Sequence, residues 1–202
     1  MLVNLRLTAV IVMLLGSGIA ADSGKQAAHD GVWWRSVDHY RHLGFLEGYM
    51  DCYAYVHPGP ARFEGVSPYE YEKRIAAYYD THPNELAGPV SELLLSLAPP
   101  SKTITARSTF GVYDGEDWRQ GGPSYRPGFI QGYFECLRSE AKRVARFSKP
   151  DSYYVEQISK WYGVKDDDPG EIDLKRSPTM IAHVLFMFKD SIPNGATGAN
   201  PQ

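Results

Sequence analysis

The chain has 202 residues, 43% hydrophobic and 22% charged, a composition that excludes both a disordered polymer and a multi-pass membrane protein. A net charge of -3 and a pI near 6.1 exclude general electrostatic attraction to nucleic acid or acidic lipid. Fourteen Tyr and four Trp are the unusual feature, and no residue constellation spells out a reaction.

The first 20 residues read as a secretory signal peptide. Arg6 supplies the positive n-region, Leu7 to Leu15 the apolar h-region, and Gly18-Ile19-Ala20 the small residues before a cut. The apolar run is shorter than the ~20 residues needed to span a bilayer, and no basic stop-transfer cluster follows, so no stable membrane anchor is expected. The expected mature chain starts near Ala21, carries a net charge of -4 and is periplasmic or secreted. Residues 21–98 are then predicted to form a first helical repeat. Its first helix runs from about Leu43 to Val56, with Phe45, Tyr49, Cys52 and Val56 on one face of a 3.6-residue wheel and Glu47 and Asp51 away from it. The second opens at the capping box Ser67-Pro68-Tyr69-Glu70 and runs to about Tyr79, where His82-Pro83 stops it. The third begins at Gly88-Pro89 and carries Val90, Leu93, Leu94 and Leu97 before Pro99-Pro100.

From Pro99 to Pro123 the mixture of Pro, Gly, Ser and Thr reads as a connection, with a short strand at Ile104 to Val112 and the linker proper at 99–113. A second helical repeat is expected over 114–190. Its helices are predicted from Pro127 to about Phe147, from Asp151 to Gly163, and from Ser177-Pro178 to about Lys189. The tail, 191–202, reads as disordered.

The two halves match at an offset of 84 residues. Asp30-Gly31 falls on Asp114-Gly115, Trp34-Arg35 on Trp118-Arg119, Gly44-Phe45 on Gly128-Phe129, Gly48-Tyr49 on Gly132-Tyr133 and Cys52 on Cys136. Ala61-Arg62-Phe63 then falls on Ala145-Arg146-Phe147, and Tyr69, Glu72 and Tyr78 on Tyr153, Glu156 and Tyr162. That is 15 identities in 49 ungapped positions, against about three expected by chance from average residue usage. A duplicated unit follows. The expected fold class is all-α, two pseudo-symmetric three-helix units packed through their first helices.

Gly44, Gly48 and Cys52 stand at i, i+4 and i+8, as do Gly128, Gly132 and Cys136, so each first helix carries a seam of small residues. Gly inside a helix costs about 0.5 to 1 kcal/mol relative to Ala, so matched pairs point to packing. Either the two first helices approach closely there, or aromatic rings of the second helices fill the space. Cys52 and Cys136, in a chain expected to reach an oxidising compartment, are predicted to form a disulfide at a local two-fold axis; the rival is two separately buried thiols.

For chemistry the candidates are few. His39 and His42, at i, i+3, are candidate metal ligands with Glu47 or Asp51 behind them, but the wheel puts those acids well away, and solvated or capping histidines are the expectation. A thiol nucleophile is disfavoured, since both cysteines lie on apolar faces without a nearby His. Trp34, Arg35, Trp118 and Arg119 form either an aromatic and guanidinium contact surface or core caps whose arginines pair with Asp51 or Glu135. Arg138, Lys142, Arg143 and Arg146 make a basic stretch, expected as a solvated helix face. No metal, cofactor or nucleic acid is expected, and no catalytic residues.

Tyr69 to Ala98, YEYEKRIAAYYDTHPNELAGPVSELLLSLA, resembles the Rap1a/Tai immunity-protein family, whose second half reads as a helix, a Tyr-Leu-x-x-His-Pro turn and an Ala/Leu-rich final helix. The turn here is Tyr78-Tyr79-Asp80-Thr81-His82-Pro83, and Gly-Phe-x-x-Gly-Tyr at Gly44 to Tyr49 looks like the family's first helix. The family usually carries Cys pairs within one unit, one after the last helix where this chain has Pro99-Pro100, so its disulfide plan does not carry over. The resemblance implies a non-catalytic exported protein that binds and blocks a secreted peptidoglycan hydrolase, specifically a cell-wall amidase effector. The alternative is a periplasmic ligand-binding or structural helical module using the Tyr-rich surface between copies.

Overall fold

Asp30 starts the first helix, because its carboxylate accepts the Trp33 N–H at 2.9 Å and so satisfies one of the donors a helix N-terminus leaves free. A computed structural model describes residues 29–58, 62–63, 65–99, 113–140, 147–165, 175–176 and 180–190. Its helices are α1 (Gly31–Ser36), α2 (His39–Val56), α3 (Pro68–Thr81), α4 (Val90–Leu97), α5 (Gly115–Ser139), α6 (Asp151–Tyr162) and α7 (Ile181–Met187), with a 3-10 turn at Pro83–Glu85. There is no strand among the described residues, only an isolated bridge between Asp30 and Pro89. The signal segment, the proposed strand at 104–112 and the tail lie outside the described residues.

Most differences from the expected elements have local causes. α2 begins at His39 rather than Leu43, because Asp38 caps it by accepting the Arg41 N–H at 2.9 Å. The connection expected to reach Pro123 is already helical from Gly115, where Asp114 and Asp117 form a reciprocal capping box. Gly122, with φ +72°, then kinks α5, and Pro123 resumes the helix in a first turn, where no N–H is required. Pro127, expected to open this helix, lies one turn inside it. α7 spans a shorter stretch than expected, and 177–179 lie outside the described residues.

α2 and α5 make the central contact, α3 packs on α4 and on α2, and α6 packs on α5 and α7. At the centre the backbones touch. A Cβ built on Gly44 would lie 2.1 Å from Tyr125 O, and one on Gly48 2.0 Å from Phe129 O. On the opposite helix, Gly128 would meet Arg41 O at 2.4 Å and Gly132 would meet Phe45 O at 1.9 Å. The partners are as reciprocal as the glycines, and no aromatic ring from α3 or α6 occupies the space. Cys52 and Cys136 are joined in a disulfide at the same interface, their Cα atoms 6.0 Å apart, which removes the alternative of separate thiols.

The ungapped match fails beyond the first helices. α3 buries Tyr71, Ile75 and Tyr79, and α6 buries Tyr154, Ile158 and Tyr162, an offset of 83 rather than 84. Their N-caps, Ser67 and Pro150, keep the same 83-residue spacing. Phe63 packs on Tyr71 and Phe147 on Tyr154, so one residue is lost between Phe147 and Pro150. The sequence identities at Glu72/Glu156 and Tyr78/Tyr162 are therefore out of structural register: Glu72 corresponds to Val155.

Candidate functional site

The two tryptophans matched in sequence are core residues. Trp34 is 2% exposed and Trp118 is fully buried, so neither belongs to the aromatic contact surface. Trp34 stacks on His42, with ring centroids 3.9 Å apart and planes 7° apart, and Trp118 Nε1 donates to Ser159 Oγ at 3.0 Å. Their arginines also depart from expectation, because neither turns toward Asp51 or Glu135. Arg35 donates to the Tyr79 carbonyl at 2.7 Å and faces Asp80, closing α1 onto the end of α3. Arg119 pairs with Glu116 one turn earlier on its own helix. Arg138 likewise pairs with Glu135; the rest of the basic stretch lies outside the described residues.

His39 is half-exposed to solvent, as expected, whereas His42 is largely buried, and neither is a helix cap. Both present Nδ1 to Glu72, His39 at 2.7 Å from Oε2 and His42 at 3.1 Å from Oε1. His42 Nε2 sits 2.7 Å from the Trp34 carbonyl oxygen, which can only accept, so that nitrogen carries a proton. The result is a clasp that ties α1, α2 and α3 together. Glu47 and Asp51 take no part in it. Among the described residues no group of three or more His, Cys, Asp or Glu is arranged to hold a metal ion.

Across the α2–α5 interface the sequence-related positions 51 and 135 have different surroundings. Glu135 accepts from His29 Nδ1 at 3.4 Å, Ser91 Oγ at 3.3 Å and Arg138 at 3.1 Å. Burial pushes its pKa up, but the hydrogen bonds from His29 and Arg138 outweigh it and hold the carboxyl below its usual value. Asp51 is 3% exposed, its Oδ2 has no hydrogen-bond partner, and desolvation raises it to about 8. Glu47 is likewise pushed up to about 7 by burial, against the hydrogen bond it accepts from Tyr125.

One exposed surface combines aromatic and charged groups. Tyr40 and Tyr69 are 57% and 50% exposed and flank His39, with ring centroids 5.3 and 5.8 Å from it, and Lys73 Nζ lies 4.4 Å over the Tyr69 ring. Sequence reasoning passed over this patch, although both tyrosines fall off the core faces of their helices. Among the described residues no helix is long and apolar enough to cross a membrane. No protein-family model, curated protein or solved structure matches the chain.

Proposed function

We propose that the chain is an exported, non-catalytic helical protein that binds a protein partner, in the manner of immunity proteins that block cell-wall amidase effectors. The observation that carries this reading is the Tyr40–His39–Tyr69 patch with Lys73 beside it, since tyrosines held half-exposed on a rigid helical base have the composition of interface hot spots. The resemblance of Gly44 to Ala98 to the Rap1a/Tai family supplies the partner class, a secreted peptidoglycan hydrolase. A signal sequence and a disulfide agree with action in the periplasm or outside the cell.

The two halves are read as pseudo-symmetric three-helix units. What supports this is the reciprocity of the glycine contacts, the matched Tyr-Ile-Tyr faces of α3 and α6, and the paired bonds Val90 N–H to His29 O and Ile181 N–H to Tyr113 O. The partner patch belongs to the first unit. In the second, Pro123 and Ser152 stand where His39 and Tyr69 do, which makes a single partner per chain the expectation.

Binding of the mature protein to purified secreted cell-wall amidases, followed by biolayer interferometry and by inhibition of peptidoglycan cleavage, tests this directly. One amidase is expected to bind and lose activity, and Tyr40→Ala with Tyr69→Ala is expected to weaken binding at least about tenfold. Absence of binding and inhibition across the amidases, or unchanged affinity in the double variant, overturns the reading.

A further inference from the structure

The second unit carries an open groove of about 590 Å³ between α5 and α6, within the size range of small-molecule sites. Pro123, Pro127, Val155 and Val164 give it apolar walls, and Arg41, Gln131, Asp151, Ser152, Glu156, Ser159 and Lys160 supply its polar groups. Its position explains why it is open. In structural register Pro123 replaces His39, Arg126 replaces His42, Ser152 replaces Tyr69 and Val155 replaces Glu72. Both histidines and the carboxylate of the first unit's clasp, with the neighbouring Tyr69, are thus changed at once. Arg126 is buried and turns its Nε to the Trp118 carbonyl at 3.0 Å, as His42 does toward Trp34, and so takes over the inner half of that arrangement. At the outer half, where two histidines and a carboxylate meet in the first unit, the second has the smaller side chains of Pro123, Ser152 and Val155.

The floor of the groove is contributed by the other unit. Arg41, from α2, is half-buried and donates through Nε to the neutral Gln131 Oε1 at 3.1 Å. Its counterpart on the opposite side, Tyr125, donates instead to the carboxylate of Glu47. Where one side of the molecule joins a hydroxyl to an acid, the groove therefore sets a guanidinium against an amide, and among the described residues no other side-chain bond of Arg41 is present. Loss of water lowers the guanidinium's pKa, and Asp151 and Asp38 offset this only in part. A partly desolvated planar cation lining an open cleft suits a carboxylate, which can accept two parallel hydrogen bonds from it. Negative groups line the groove at the start and middle of α6, where Asp151 and the Glu156–Lys160 pair stand.

We propose that this groove binds a small zwitterion with an apolar body, a dipeptide or similarly short peptide, its carboxylate on Arg41 and its ammonium on the Asp151 side. Two charges of each sign together with proline and valine walls match such a ligand better than a simple anion, which would meet Asp151 and Glu156 unfavourably. This site is separate from the Tyr40–Tyr69 patch, so either can fail without the other.

The test uses the mature oxidised protein, with amide and side-chain NMR shifts followed during titration with Ala-Ala and Leu-Leu. Saturable shifts at Ser152, Ser159 and the Gln131 side-chain amide are expected below about 20 mM, a range typical of weak ligands. The amidated dipeptides, which lack the carboxylate, and the N-acetylated ones, which lack the ammonium, should each bind at least about tenfold more weakly. Arg41→Gln should have the same effect. Ser152→Tyr, which restores the bulk found at Tyr69 without touching Arg41, should abolish binding and keeps the proposal testable should Arg41→Gln fail to fold. The proposal is overturned by absence of saturable shifts in the groove, by shifts confined to Tyr40 and Tyr69, by equal binding of a blocked dipeptide, or by undiminished binding to a folded variant.

Discussion

At the scale of single residues, the acids at 51 and 135 carry the clearest energetic consequence. Both are buried on helices that cross at the glycine seam, but Glu135 meets donors and Asp51 does not. A carboxyl raised in the folded state binds its proton more tightly there than in the unfolded chain. Its contribution is fully present below the unfolded value near 4 and is lost as pH rises through the folded value. For Glu47 and Asp51 that loss extends to about 7 and about 8. Glu135, Asp38 and Glu116, all lowered, act in the opposite sense: their contributions are present above about 4 and fade as the pH falls. Stability should therefore peak in mildly acidic solution and decline by roughly 2 kcal/mol or more between pH 5 and 8. Asp51→Asn, which removes the larger of the Glu47 and Asp51 shifts while keeping the shape, should flatten that decline in urea unfolding. An unchanged slope from pH 5 to 8 would show that Asp51 is not the source.

At the scale of elements, the docking of α3 separates what the sequence discloses from what it conceals. The identity of Glu72 and Glu156 at an offset of 84 makes the two look equivalent, whereas the buried faces of α3 and α6 place Val155 opposite Glu72. Glu72→Ala should then destabilise the protein by about 1–3 kcal/mol, because it strands His42 Nδ1 in a largely buried site, and Glu156→Ala should cost about 0.5 kcal/mol or less, since it breaks only an exposed i, i+4 pair. Comparable losses in chemical denaturation would restore the ungapped register. The glycine seam and the disulfide were legible because small residues at i, i+4 and i+8 can do little else when repeated on two helices. α1 was not: six residues are too short for a periodicity, and its signal was the single capping aspartate before Gly31. The beginning of α5 was hidden by Gly121-Gly122-Pro123, which reads as a terminator but is a kink with helix on both sides. The groove was hidden for a deeper reason. It arises from four replacements on α5 and α6, and the linear match misassigns the register of α6 by one residue.

At the scale of the whole molecule, one covalent bond and one packed seam hold the same pair of helices, and their contributions can be separated. Closing a loop across a sequence separation of 84 residues restricts the unfolded chain and contributes about 4–5 kcal/mol in the chain-entropy model. The seam acts on the folded state instead, since backbone meets backbone at Gly44, Gly48, Gly128 and Gly132 whether or not the sulfurs are joined. Cys52→Ala with Cys136→Ala should therefore retain the native helical circular dichroism while losing about 4 kcal/mol in urea unfolding. A loss below about 1 kcal/mol would mean that the bond contributes little restraint to the unfolded chain. Both cysteines are fully buried at that seam, so a thiolate reductant can reach the disulfide only after α2 and α5 part. Reduction of the native protein should be slow in buffer and accelerate steeply with added urea, in step with global unfolding measured under the same conditions. Rapid reduction without denaturant would place the weakest contact of the molecule at the glycine seam itself, because only a local opening there exposes the sulfurs while the surrounding helices stay folded.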